Sequence, residues 1–525
     1  MTGNRARLVE RLSRRDGSLW PSSDDPPLGW LDAAGFMDRH ARSLMQWADS
    51  LIRDRRIRRV VLIGMGGSSL AAEVLFSVFG RQDGFPELVV ADSTSPALVE
   101  ALKIDSRTLF IVSSKSGSTV ETADLCAWLY SRAGHLDGHP GSRFIAITDP
   151  GSGLAARAEA DGFLRVFLNP PDIVGRFSAL SLFGLVPAAL TGIDLVRLGK
   201  RTESWWRVCL AEQPSVLSRL IGVMAECSRS GHGMLAVELQ PPLRSLFNWI
   251  EQLVAESTGK KGRGILPVDP ALVDGRAMEA GGCGIVRIGM DSKAEPGDHV
   301  VDREGRLCIS MRDEYDLGGM FMLWQAATAV VASRLGVNAF DQPDVEAAKA
   351  EARRVVRNDM VRNDQRRIRV GQLDFYRSSV WKDRPMPVSP EDVMSEFCEK
   401  AQPGGYLAIL AYMPMQRQVE KSLEKLADGF KSRFGAVTIG FGPRYLHSTG
   451  QLHKGGPPIG CFLQIVEDDV PDLVVPGRDY GFGRLHRAQA DGDFLVLENS
   501  RRPIMRVGIR GDRLDALDRL ADMLT

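Results

Sequence analysis

Five short apolar segments recur along the first third of this chain, each followed by a turn and a stretch with helical spacing. They lie at 59–63, 88–91, 109–112, 144–147 and 165–168. Strands that read as near-continuous apolar runs are buried on both faces, and their alternation with helices belongs to a parallel sheet. The pattern predicts a doubly wound α/β domain ending near residue 195. A second α/β unit is expected over about 205–350, with a strand at 234–237 and helices at 243–258 and 317–335. A Pro/Arg-rich stretch at 377–389 reads as a linker. A third unit opens near Gly405, with a strand at 406–412, a charged helix at 416–434 and a strand at 436–441. The expected division is a helical N-terminal segment (1–56), α/β domains at 57–200 and 201–350, a linker or helical segment (351–400) and a C-terminal α/β region (401–525).

Composition narrows the function classes. The 525 residues contain 66 Lys+Arg and 66 Asp+Glu. A zero balance argues against a general binder of nucleic acid or of membrane surfaces, which would carry a basic excess. Basic runs at 53–59 and 353–369 are interleaved with apolar or acidic residues and read as solvated helix faces. The seven cysteines are odd in number and form no CxxC pair. That spacing predicts a reducing, cytoplasmic setting rather than a zinc module or a disulfide scaffold. The first thirty residues lack the apolar core of a signal peptide, and no stretch is long and apolar enough to suggest a membrane helix.

Polar motifs sit where the predicted strands end. Gly64-Met65-Gly66-Gly67-Ser68-Ser69 follows the first strand and opens a helix. Glycines there let a phosphate-bearing ligand approach the backbone at a helix N-terminus, and a tight strand–helix turn would explain them equally. Ser113-Ser114-Lys115-Ser116-Gly117-Ser118-Thr119 gathers five hydroxyls before the next helix and suits a phosphate monoester. The plainer alternative is a capping box between Ser118 and Glu121. In the 243–258 helix, Gln252 and Glu256 are four apart and share a face, with Gly259 as a C-cap. A carboxylate at a helix C-terminus is electrostatically disfavoured, which suits a general base working near neutrality. The alternative is an exposed Glu256 paired with Lys260. Gln342 and Lys349 are two turns apart on another helical stretch, for which a capped surface helix is the default. His447 and His453, six apart, share a loop rich in glycine and polar donors, without the further ligands a metal site needs.

Together these motifs resemble the phosphoglucose isomerase family, most closely the isomerase half of bifunctional transaldolase/glucose-6-phosphate isomerases. The resemblance covers about 28–510 and rests on the glycine turn at Gly64, Ser114-Lys115-Ser116, Val174-Gly175-Arg176-Phe177-Ser178, Glu256-Ser257-Thr258-Gly259-Lys260, Phe340-Asp341-Gln342 and Leu446-His447-Ser448. It implies two doubly wound sugar isomerase (SIS) domains with parallel sheets, plus a C-terminal α/β region carrying His447. It implies interconversion of glucose 6-phosphate and fructose 6-phosphate, with no metal or other cofactor. By position, Gly67, Ser68, Ser114, Lys115, Ser116 and Thr119 would hold the sugar phosphate, with Gln252 assisting and Gln342 as a further substrate contact. Glu256 would move the proton between C2 and C1, Arg176 would stabilise the enediolate, and His447 and Lys349 would open the ring. His453 competes with His447 for that role. A related 6-anionic sugar (mannose 6-phosphate or a 6-sulfo sugar) and a catalytically silent sugar-phosphate regulator are the alternatives. No segment has the strand count of an eight-stranded barrel, so no transaldolase activity is expected. The histidine motif normally precedes Phe-Asp-Gln and comes from a neighbouring subunit; here it follows by about a hundred residues. The expected partners are thus a small sugar phosphate and either a second copy in a homodimer or, if His447 acts in cis, none.

Overall fold

The computed structural model describes residues 2–21, 25–211, 214–229, 233–276, 283–343, 367–381 and 389–523. Three sheets organise the chain. The first contains β1 (Arg59–Ile63), β2 (Glu87–Ala91), β3 (Thr108–Ser113), β4 (Phe144–Thr148) and β5 (Arg165–Leu168), in the order β2-β1-β3-β4-β5. All its pairs are parallel. Every residue of β3 and β4 is buried, whereas the edge strand β5 is largely open. This is the difference expected between strands covered on two faces and strands at a rim. The strand order reverses between β1 and β3, and the loops leaving their C-terminal ends flank the crevice where ligands of such sheets bind. Those loops are the glycine turn and the serine-rich segment.

The second sheet contains β6 (Met234–Leu239), β7 (Leu266–Val268), β8 (Cys283–Met290), β9 (His299–Val301) and β10 (Leu307–Met311), ordered β7-β6-β8-β10-β9. Only β9 runs antiparallel to its neighbour. The Leu317–Arg334 helix is buried along nearly its whole length. It joins the first two sheets in one continuous apolar core that includes Leu185, Trp205, Leu253 and Phe321. The N-terminal segment packs on the same core: Trp20 donates its indole N–H to the Ala329 carbonyl (2.9 Å) and stacks edge-on against Phe340.

The third sheet contains β11 (Arg367–Val370), β12 (Leu373–Arg377), β13 (Tyr406–Tyr412), β14 (Ala436–Phe441), β15 (Gly460–Glu467) and β16 (Ile504–Ile509), ordered β11-β12-β16-β15-β13-β14. Strands β16, β15, β13 and β14 are parallel, and β11 and β12 add an antiparallel rim. These two rim strands lie in the stretch whose composition suggested a linker or helical segment. Asp374 of β12, fully buried, holds Arg367 and Arg369 of β11 (2.6 and 2.9 Å), so charged residues at a sheet edge form strands there. The C-terminal region docks through two apolar patches. Tyr406, Leu410 and Phe462 pack with Met234, Ala255 and Leu266, while Val475 and Phe482 pack with Val61 and Phe110. No helix among the described residues is long and apolar enough to cross a membrane.

Candidate active site

The glycine turn after β1 is the hub of the site, and protein neighbours account for two of its glycines. Gly66 has φ +54°, and a Cβ on it would stand 2.6 Å from Gln252 Nε2 and 2.8 Å from the His447 carbonyl oxygen. A Cβ on Gly67 would stand 2.2 Å from the Gly175 carbonyl carbon and 2.7 Å from the Arg176 nitrogen. Bare backbone at these positions lets three distant parts of the chain converge. Close approach of the chain itself therefore requires glycine at both positions. A 3-10 turn at Gly66–Ser68 follows, and the α-helix begins at Leu70.

The serine-rich segment lies across the switch point, after β3. Its hydroxyls are not equivalent. Ser113 donates to the Ser68 carbonyl (2.7 Å) and ties the two loops together. Ser114 donates to Thr119 Oγ1 (3.3 Å) and accepts from the Gly117 N–H (3.2 Å), while Ser116 and Ser118 pair with each other (2.9 Å). The Lys115 ammonium is turned away, onto Asp149 and the Pro171 carbonyl, so this residue offers the crevice its main chain. The capping-box alternative fails. The N-cap of the Val120–Asp137 helix is Thr119, which makes no side-chain cap bond, and Glu121 is engaged elsewhere. The helix N-terminus therefore keeps its positive end towards the crevice.

Glu256 and Arg176 face each other in the interior. Arg176, on the Gly175–Phe177 turn, is 1% exposed and Glu256, on the Leu246–Thr258 helix, 3%. Their nearest charged atoms, Nη1 and Oε1, are 3.7 Å apart. Arg176 donates Nε–H to Ser257 Oγ (2.9 Å) and Nη2–H to the carbonyls of Ala339 (2.5 Å) and Asp341 (3.1 Å). Burial pulls its pKa below the ordinary guanidinium value, opposed by Glu256 and Asp341. The expected Glu256–Lys260 pair is not what forms. Lys260 is buried and reaches Asp341 Oδ1 (2.7 Å) and the Asn338 carbonyl (2.5 Å). Burial and the nearby Arg176 charge push its ammonium down to about 8, against the pull of Asp341 and Glu256. Gly259 is the C-cap residue but not in a left-handed conformation. Its lack of a side chain admits Leu452, whose Cα would be 2.4 Å from a Cβ there.

His447 reaches this crevice from the C-terminal region of the same chain. Gln252 Nε2 donates to its carbonyl (2.8 Å), and its own Nε2 lies 3.1 Å from Glu121 Oε1. The same carboxylate oxygen accepts from Gln489 (2.7 Å), whose Oε1 accepts from Thr94 (2.8 Å). The Thr94 hydroxyl has then given its only proton, so its 3.0 Å contact with His486 Nδ1 makes that ring nitrogen the donor. Burial holds His486 down at about 4, in its neutral form. The competition with His453 is resolved by packing. His453 is 2% exposed, hydrogen-bonded through Nδ1 to Tyr406 (3.0 Å) and held well below its ordinary pKa by burial and by Lys454 and Arg502. It is a core histidine.

Gly67, Ser68, Ser114, Ser116, Thr119, Gln252, Glu256, Arg176 and His447 thus lie around one crevice. Gln342 is half-buried and follows Asp341, whose carboxylate holds Lys260. Lys349 lies outside the described residues. The buried Gln252 Oε1 has no partner among the described residues, leaving an acceptor suited to a ligand hydroxyl. Glu121, Ser257, Lys260 and Gln489 were not read as site residues. Ser257 and Lys260 stand inside the Glu256 motif, a signal available in the sequence. The part played by Glu121 depends on a contact 326 positions away, which no local pattern carries.

Known proteins resemble this chain in sequence and in fold. The chain is 29% identical over 387 residues to the glucose-6-phosphate isomerase of Symbiobacterium thermophilum, covering 61% of this chain and 85% of that one. It is 28% identical over 389 residues to the glucose-6-phosphate isomerase of Heliobacterium modesticaldum, again covering 61% and 85%. No family model matches the chain. Among solved structures, a hypothetical protein of Thermus thermophilus superposes with a TM-score of 0.57 at 24% identity, over 67% of this chain and 95% of that one. A glucose-6-phosphate isomerase of Chlamydia trachomatis superposes with a TM-score of 0.54 at 18% identity, over 70% and 87%. The chain is thus similar in sequence to glucose-6-phosphate isomerases and shares the α/β fold of the Chlamydia trachomatis enzyme.

Proposed function

We propose that this chain is an aldose–ketose isomerase that interconverts glucose 6-phosphate and fructose 6-phosphate through a cis-enediol. One observation carries the reading: Glu256 stands 3.7 Å from the buried Arg176, one helical turn from Gln252, whose amide holds His447. Moving a proton between C2 and C1 needs a single base that returns what it takes, and Glu256 is assigned that part. Negative charge then develops on a substrate oxygen, and Arg176 is assigned to meet it. Its bonds to Ser257, Ala339 and Asp341 orient it beforehand, so little rearrangement is needed as the charge appears. His447, oriented by Glu121, is assigned to ring opening together with Lys349. Ser68, Ser114, Ser116 and Thr119, with the main chain at Gly67 and Lys115, would grip the phosphate, and Gln252 and Gln342 would meet sugar hydroxyls. The short Gln252–His447 bond favours a site complete within one chain over one that borrows the histidine from a second copy. The reading carries with it a place in glycolysis and gluconeogenesis in the cytoplasm, in keeping with seven cysteines that are all free.

A hydroxyl-lined loop accepts several tetrahedral anions, so the anion alone does not choose the sugar; the relatives' names favour glucose 6-phosphate. A silent binder would gain nothing from a base held against a buried arginine. Coupled assays with glucose 6-phosphate, fructose 6-phosphate, mannose 6-phosphate and a 6-sulfo sugar test the reading. We expect the first two to be turned over best, and Glu256→Gln to lose about 10³-fold in kcat while still binding substrate. Faster turnover of another sugar would move the assignment to it. Substantial residual turnover in the variant would remove Glu256 from its role.

A further inference from the structure

Arg444 sits three residues before His447 on one short 3-10 turn, Arg444–His447. Its side chain leaves the C-terminal region and enters a cluster of acids from the rest of the molecule. Nη2 pairs with Glu73 of the Leu70–Phe79 helix, and Nη1 lies 3.1 Å from Asp92 Oδ2, just beyond β2. Glu251 of the Leu246–Thr258 helix feels the same positive charge and accepts a long bond from Ser448 (3.5 Å), the residue after His447. The Arg444 and Asp92 side chains are only 13% and 7% exposed. Burial lifts the Glu251 carboxyl to about 8 and raises that of Asp92 as well, in both cases against the pull of Arg444.

A guanidinium bridging two carboxylates with two prongs fixes distance and angle together. Removing one member of such a group strands the others away from water, so the arrangement selects one docking geometry. We propose that Arg444 is a positioning residue of this site: it staples the His447-bearing turn to the first α/β unit, so that His447 meets Glu121 and the sugar ring. The inference rests on the isomerase reading above. Arg444 acts through His447, because its own prongs are spent on Glu73 and Asp92. Gln252 holds the His447 carbonyl, and Gly66 packs close against it.

The test compares wild type, Arg444→Gln, His447→Ala and the double variant in the glucose 6-phosphate/fructose 6-phosphate assay. Displacement of a ring-opening group by about 1 Å costs on the order of 10²-fold. We therefore expect Arg444→Gln to lose about 10–100-fold in kcat with KM changed less than about threefold. The double variant should be no slower than His447→Ala alone, since both changes remove one function. Wild-type kcat in Arg444→Gln, or losses that multiply in the double variant, would overturn the proposal. If Arg444→Gln does not fold, Glu73→Gln releases one prong without leaving a surplus buried charge, and the same kinetic signature is expected. Amide hydrogen exchange supplies a readout independent of turnover. Residues 445–453 should exchange faster in the variant while β1 and β3 do not change, and equal exchange throughout would overturn the proposal. A wild type inactive on both sugars would sink the isomerase reading while leaving the exchange experiment to decide the staple.

Discussion

Arg176 makes directional bonds to a hydroxyl and two carbonyls, yet none of them neutralises it; the nearest carboxylate among the described residues stands at 3.7 Å. A lysine in its place keeps the charge but not the planar fork. Arg176→Lys is expected to lose about 10²–10³-fold in kcat, with a smaller change in KM, in steady-state kinetics. Glu251 gives a pH prediction. Its carboxyl titrates near 4.5 when unfolded and about 8 when folded. Between those values the folded chain holds a proton that the unfolded chain has released, so stability falls as pH rises across the window and levels beyond it. Glu251→Gln should remove that part of the slope in denaturant unfolding at pH 5 and pH 8. Identical slopes in the two proteins would show that the carboxyl is not desolvated. At this scale the sequence went far with Glu256 and Arg176, whose motifs are local. It put His447 ahead of His453 only by resemblance, because only packing sets His453 against Tyr406 and His447 against Glu121.

At the scale of elements, the glycine turn and the Gly175–Phe177 turn touch without side chains between them. Gly67→Ala would drive a methyl group to 2.2 Å from the Gly175 carbonyl. Overpacking of this kind costs about 1–3 kcal/mol or more, so a lower melting temperature is expected, with kcat reduced because Arg176 rides on the displaced turn. An unchanged melting temperature would mean that the two turns separate freely. Strands β1 to β5 were readable because each is a short, largely apolar run followed by a turn and a helix. Strands β15 and β16 were not, although both are buried, because Gln464 and Arg506 interrupt them. In the structure these two residues are register partners, and Arg506 donates to Gln464 Oε1 at 2.7 Å. A polar pair matched across a sheet, with its remaining donors met by Ala490 and Asp491, is invisible along either strand alone. β8, with its alternating burial, and the three-residue β7 and β9 offered too little pattern to be singled out.

For the whole molecule, the arrangement makes a prediction about assembly. If each chain carries its own Glu256 and His447, mixing Glu256→Gln with His447→Ala protein restores no activity, even after dissociation and reassociation. A shared site would recover activity in mixed oligomers. Assay of co-expressed variants separates the two, and recovery above the sum of the separate activities would refute a cis histidine. The alternation of strands and helices around the first sheet was legible along the chain. What alternation could not convey is that the C-terminal region closes the crevice, because that depends on two apolar patches joining sheets far apart in sequence.

The bonds that bring His447 to Gln252 and Glu121 span 195 and 326 positions. Loops of that length close slowly and late. The emerging polypeptide therefore builds its first sheet, with the anion cradle, well before the ribosome has delivered the turn that completes the chemistry. During refolding, catalytic competence should return after the helical signal has already recovered, as the last event rather than the first.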